Sequence, residues 1–191
     1  MRDAITVNWW GYMDNWANYT RAISCTEGGG WNFEPSSGKI NFAVGTGASS
    51  NTYKSVVSKT TLASLGTGWH MFTGTYDGLN SKIYIDGKLD NTLAAYTTKT
   101  PLYYVGNTIW VGAEADGDTT GPAGSYYVGR LSDVSIYATA LSAEDIEKLY
   151  QRSLAIDNEG NAFSGSYNEL KENKFIVGKN TVNGHTSEIS A

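Results

Sequence analysis

The stretch AITVNWWGYMDNW, residues 4–16, governs how the rest of the chain is read. Side chains alternate between the two faces of a β-strand. Ile5, Val7 and Trp9 therefore share one face, while Thr6, Asn8, Trp10 and Tyr12 share the other. A strand with an indole on each side is either covered on both faces or offers one tryptophan to a ligand. The apolar company of Trp9 marks the core face. The mixed company of Trp10 suits a partly covered outer surface, with a loop or the C-terminal segment lying over it. Both tryptophans are expected to be structural, and the strand to be a central one.

Strand-like runs recur outward from this point, each closed by turn residues. They are ITVNWWGYM, RAISCTE, KINFAVG, YKSVVSK, WHMFTGTYD, SKIYIDGKLD, TIWVGAE and YYVGRLSDVSIYA. Within KIYIDGKL, Asp86-Gly87 supplies the two positive-φ positions of a type I′ turn, which predicts a hairpin. One helix is expected over LSAEDIEKLYQR, residues 141–152. Ser142 is its N-cap, with Asp145 completing an approximate capping box and Leu141 and Ile146 at the staple positions. Ile146, Leu149 and Tyr150 form its packing face. The architecture that follows is all-β, an antiparallel sandwich of two sheets with one short C-terminal helix. After Arg152 the chain turns polar. Residues 1–152 are read as the sandwich, and 153–191 as an appended segment. That segment packs on the sandwich or on a partner through Phe163, Leu170, Phe175, Ile176 and Val177.

Composition narrows the function classes. With 191 residues, 40% of them hydrophobic and 17% charged, the chain has the profile of an ordered, soluble protein. A net charge of −5 without a basic block argues against nucleic acid. The single cysteine, Cys25, excludes an internal disulfide and a cysteine-rich zinc site, and reads as a small buried residue. No run has the length of a membrane helix, and the N-terminus lacks the regions of a signal peptide. The chain is therefore expected to be soluble, and a virion or extracellular location is expected to be reached only as part of a larger assembly.

Three segments together resemble the concanavalin A-like jelly rolls of the laminin G type. AITVNWWGYM is similar to that family's early Trp-bearing strand. GWHMFTGTYDGLNSKIYIDGKL is similar to its central block, in which a Trp-His pair opens a strand leading to an Asp-Gly hairpin. VGRLSDVSIYATALSAEDIEKLY is similar to its closing strand and helix. The resemblance spans residues 4–151 in the family's order and implies a jelly-roll sandwich, with Trp10 at the family's Trp position and Asp133 at a structural one. Family members usually begin with a further strand. Here the chain starts almost at the Trp-bearing one, so an uncovered edge is expected beside it, filled by residues 153–191 or by a neighbouring subunit. The C-terminal texture, as in KFIVGKNTVNGHTSEIS, resembles segments of bacteriophage tail and virion proteins.

Three kinds of chemistry are open. In GAEADGDTTGPAGS, residues 112–125, Glu114, Asp116 and Asp118 alternate, as do the acids of the similar jelly-roll glucanases. Retaining hydrolysis needs two carboxyl groups about 5–5.5 Å apart. The spacers Ala115 and Gly117 and the final Asp118 depart from the glucanase pattern, and a strand fraying into a loop fits better. The same loop offers oxygens for calcium through Asp116 and Asp118. The aromatics of turn-like sequence, Trp16, Tyr19, Trp31, Tyr103 and Tyr126, suit stacking on sugar rings. Trp69 and Tyr84, in core-forming strands, are read as structural, as is His70. The function expected is a non-catalytic, lectin-like module that binds surface glycan within a homo-oligomeric virion or extracellular assembly, without membrane insertion. A purely structural decoration subunit and a glycoside hydrolase using Glu114 and Asp116 are the alternatives.

Overall fold

The computed structural model describes residues 3–12, 20–26, 29–49, 52–103, 108–115, 122–153, 180–182 and 185–187. One five-stranded antiparallel sheet is built from β1 (Ile5–Tyr12), β6 (Trp69–Tyr76), β7 (Asn80–Ile85), β8 (Lys88–Ala94) and β12 (Arg130–Tyr137). Its order is β12-β1-β6-β7-β8. A second contains β2 (Ile23–Cys25), β3 (Gly30–Ser36), β4 (Lys39–Gly45), β5 (Tyr53–Val57) and β9 (Trp110–Val111), in the order β5-β4-β3-β2-β9. Short hairpins pair β10 (Glu114–Ala115) with β11 (Pro122–Gly124), and β13 (Asn180–Val182) with β14 (His185–Ser187). The helices are α1 (Leu62–Leu65) and α2 (Ala143–Ser153).

Period-two alternation builds the core between the sheets. Ile5, Val7 and Trp9 point inward from β1 and meet Ile23, Phe33 and Phe42 in one cluster. Trp9 is 0% exposed, stacked on Phe72 at 4.6 Å and edge-on to Phe33 of the opposite sheet at 5.8 Å. Trp10, on the other face, is also buried, at 7% exposure. Among the described residues, what covers it is α2. The Tyr150 ring stacks on Trp10 at 5.6 Å and 9°, and Ile146 joins Met71 and Tyr84 beneath. The strand carries two indoles because both its faces are closed.

The helix is set as its sequence implies. The Ser142 hydroxyl accepts from Asp145 N–H at 3.1 Å and donates to the Asp145 carboxylate at 2.6 Å. That second bond first of all holds the Asp145 carboxyl below the usual range. Leu141 and Ile146, the staple pair, both pack in the cluster under α2. The Thr6 hydroxyl donates to Thr139 C=O at 2.7 Å and accepts from Leu141 N–H at 2.9 Å, tying the helix entry to β1.

The Asp86–Gly87 hairpin has φ of 50° and 78°, as the type I′ turn requires. A Cβ at Gly87 would also lie 2.8 Å from Tyr150, so the turn admits the helix only as glycine. Asp86 does more than turn the chain, since its carboxylate accepts from Met71 N–H at 2.9 Å and contacts His70 Nδ1 at 2.8 Å.

Two expectations are corrected. GGGWNF is not turn-like beyond its glycines, because β3 begins at Gly30. Trp31 is paired with Val44 and only 4% exposed, so its ring belongs to the core and is not a loop aromatic offered to a ligand. The edge expected beside β1 is also closed, because β12 pairs along it. Among the described residues the edge strand on this side of the sheet is β12 instead. There Asp133 and Val134 oppose the single Trp9 in a bulge, with Asp133 at φ 46°. A bulged edge resists pairing with another chain.

At the opposite side, β8 and β5 are fastened by side chains. Asp90 accepts from the N–H groups of Lys59 and Thr60 and from the Thr60 hydroxyl, while Asn91 Nδ2 donates to Val57 C=O at 2.7 Å. Asp90→Ala is expected to cost about 1–3 kcal/mol by removing hydrogen bonds to a charged carboxylate. A urea midpoint equal to wild type would refute this.

Burial first, then the nearby Tyr96 and Asp77, raises the Tyr76 hydroxyl from 10.0 to about 12. Burial also raises Tyr127. The unfolded chain releases these protons first, so their stabilisation is intact below pH 10.0, and that of Tyr76 is lost as pH rises through about 12. The urea midpoint should fall across that window, with tyrosinate absorbance rising as the fold is lost. In Tyr76→Phe the fall should be shallower, and an equal slope would argue against Tyr76 as a source.

Candidate functional site

With α2 over most of the outer face of the first sheet, the outer face of the second carries a concentration of polar groups, of which Ser24, Thr26 and Asn32 are buried. Register places Trp110, Ser24, Asn32 and Ala43 in one row across β9, β2, β3 and β4. Glu34 lies beside Asn41 in the next row, and Thr26 follows Ser24 with the same parity. Four side-chain atoms of this face are buried without a hydrogen-bond partner: Thr26 Oγ1, Asn32 Oδ1, Asn41 Oδ1 and Trp110 Nε1. Each such atom costs about 1–3 kcal/mol when nothing satisfies it. A patch of neighbouring unsatisfied polar groups beside an indole is a poor way to build a core. It is a good way to receive hydroxyl groups.

One rim of the face is a polar cluster. Gly112 N–H donates to Ala22 C=O at 2.8 Å, and the Ser24 hydroxyl donates to Ala113 C=O at 3.0 Å, so the chain after β9 runs beside β2. Glu114 is thereby brought to Arg21. The Arg21 guanidinium pairs with Glu34 and, at 3.1 Å, with Glu114 Oε1. Glu114 Oε2 accepts from the Ser125 hydroxyl at 2.6 Å. Both oxygens of Glu114 are thus engaged within the protein. Among the described residues no group of three or more His, Cys, Asp or Glu side chains is placed to hold a metal ion.

The described aromatics of the sequence reading do not gather at one point. Tyr103 is exposed at the Gly30 end of the face, where its C=O accepts from Gly30 N–H at 2.8 Å and its N–H donates to Gly45 C=O at 3.0 Å. Tyr126 is exposed at the other end, bridged to Arg21. The two bracket the polar face. Trp31 is in the core, and Trp16, Tyr19, Asp116 and Asp118 lie outside the described residues. Trp69, read as structural, is 41% exposed, because it begins β6 at the end of the sheet. Tyr84 is buried as expected. Asn32, Asn41, Arg21 and Glu34 were missed by the sequence reading. The alternation in WNFEP and INFAV points Asn32, Glu34 and Asn41 outward once β3 is recognised as a strand.

Two five-stranded antiparallel sheets packed face to face, closed by one helix on the outside, define a jelly-roll sandwich of lectin-like build. A family model described as the concanavalin A-like lectin/glucanases superfamily matches residues 2–147, and the chain belongs to that superfamily. No curated protein matches the chain significantly. Among solved structures, the chain is similar to one of botulinum neurotoxin type C, which depends on interaction with two ganglioside molecules to enter cells. The TM-score is 0.52 at 18% identity, over 78% of this chain and 35% of that one. It is similar to the binding domain of Paraclostridial Mosquitocidal Protein 1, with TM-score 0.53 at 14% identity, over 78% and 37%. It is also similar to the heptameric SAP-like pentraxin of Limulus polyphemus, with TM-score 0.56 at 16% identity, over 78% and 70%. The chain thus spans little more than a third of the two toxin structures. No helix among the described residues is long and apolar enough to cross a membrane.

Proposed function

We propose that the chain is a non-catalytic, lectin-like module that binds surface polysaccharide on the outer face of its second sheet. The observation that carries this is the patch of buried, unpartnered polar atoms on Thr26, Asn32, Asn41 and Trp110. Amides and a hydroxyl can exchange hydrogen bonds with sugar hydroxyls, the Trp110 ring suits an apolar sugar face, and Tyr103 and Tyr126 extend the surface at its ends. The ganglioside dependence of the similar neurotoxin and the binding role of the similar mosquitocidal domain support a ligand-binding use of this fold. The absence of catalysis is supported by Glu114, whose two oxygens are occupied by Arg21 and Ser125. The resemblance of residues 153–191 to tail proteins supports a place in a phage virion, where the segment would pack on the sandwich or a neighbour.

The test is binding of the full chain to a panel of bacterial surface polysaccharides. Saturable binding is expected, weakened about tenfold or more in Asn32→Ala. That variant removes an unsatisfied amide, so its stability should match or exceed wild type. Loss of binding without loss of stability identifies a site. Absence of binding to the whole panel would overturn the reading. Calcium and chelator are compared in parallel, because Asp116 and Asp118 offer oxygens to that ion. A rise in Tm with calcium supports a metal there, and an unchanged Tm removes it. Release of reducing sugar that is lost in Glu114→Gln would establish a hydrolase instead.

A second reading, a structural subunit of the assembly, is favoured by the exposed Ile109, Val111, Tyr126 and Val128 around the short edge strand β9. It expects a homo-oligomer by light scattering that dissociates in Val128→Lys. A monomeric wild-type chain would exclude contact between copies through this edge.

A further inference from the structure

At one end of the first sheet, Arg130, Tyr12 and Trp69 form a single row across β12, β1 and β6, on the face that bears Trp10. The row lies two residues beyond the pair Trp10–Met71, where α2 no longer covers the sheet. Tyr12 meets Trp69 edge-on, with ring centroids 5.7 Å apart at 62°. The Arg130 guanidinium lies over the Tyr12 ring, 4.1 Å from its centroid. Tyr12 therefore fixes both neighbours. Trp69 remains 41% exposed, and Arg130 is exposed with no carboxylate partner among the described residues.

We propose that this row is a saccharide subsite selective for acidic sugars, separate from the face of the second sheet. The Trp69 ring takes the apolar face of one pyranose, and the Arg130 fork takes the carboxylate of a neighbouring uronate. The Arg130 guanidinium lies over Tyr12, one strand spacing of about 5 Å from Trp69, which suits adjacent rings of one oligosaccharide. The tyrosine between them holds the cation in place through its ring. In a chain of net charge −5, an oriented arginine with no carboxylate partner among the described residues, next to an open indole, selects for a ligand that combines an apolar face with a negative charge.

The experiment titrates the full chain with trigalacturonate and with the neutral trimer maltotriose, read by tryptophan fluorescence and calorimetry. Trigalacturonate should bind, weakening with added salt, and maltotriose should bind about tenfold less well. Trp69→Ala should weaken trigalacturonate about tenfold, with Trp69→Phe intermediate and both variants folded by circular dichroism. Arg130→Gln should abolish the preference for the acid. Asn32→Ala should leave trigalacturonate binding unchanged, which separates this subsite from the polar face. The proposal is overturned if the wild-type chain does not bind trigalacturonate or binds both trimers equally. Retention of full affinity in Trp69→Ala, or its loss in Asn32→Ala, would overturn it as well.

Discussion

Trp9→Ala is expected to lower stability by about 3–5 kcal/mol, a large part of the 5–15 kcal/mol typical of a folded domain. The ring is fully buried and joins three aromatic partners from separate elements: Phe72 at 4.6 Å, Phe33 at 5.8 Å and Tyr127 at 5.9 Å. Phe33 belongs to the opposite sheet, so truncation removes contacts that hold the two layers together. The cavity cannot close without moving a strand on each side. Urea or thermal unfolding measures the effect, and Trp9→Phe should retain more than half of the lost stability. A loss under 1 kcal/mol in Trp9→Ala would contradict this account of the core.

Gly30→Ala is expected to cost about 2–5 kcal/mol, from two sources. Gly30 has φ +79°, where an L-residue is strained by about 1–2 kcal/mol. A Cβ there would also fall 1.6 Å from the Cys25 carbonyl oxygen, a backbone atom of the neighbouring strand. It can yield only if β2 separates from β3, at overpacking costs of about 1–3 kcal/mol. Gly38→Ala is the internal comparison, with φ +72° but nothing within 4 Å of its Cβ, so it should show the strain alone. Equal losses in the two variants would mean that the contact with Cys25 is relieved cheaply. Because Thr26 and Asn32 flank this junction, Gly30→Ala should also weaken polysaccharide binding at temperatures where the domain is still folded.

Some features were legible locally. Parity along residues 5–12 placed Trp9 in the core, Asp86-Gly87 located its hairpin, and Ser142, Asp145 and Ile146 set the helix start. Each depends on residues within one turn or one strand. β3 was obscured because three glycines precede Trp31, and Ser37-Gly38, with φ of 52° and 72°, is a less familiar signal for the same kind of tight turn. Trp69 was misjudged because parity assigns a face and says nothing of how far along a sheet its covering extends.

The candidate site was the least legible part. Arg21 and Glu114 stand 93 positions apart and meet only because β9 pairs with β2. Asn32 and Asn41 become neighbours on a polar face only through the β3–β4 register.

The sequence by itself determined that this is a β-sandwich with one capped helix, because alternation, turn residues and caps act over a few bonds and need no distant partner. The tertiary structure alone decided that α2 covers Trp10 and that β12 closes the edge of β1. It also decided that Trp69 stays open and that unpartnered amides gather on one sheet face. Those outcomes depend on which strands lie side by side, and strand pairing across many residues is set by the packing of the whole chain.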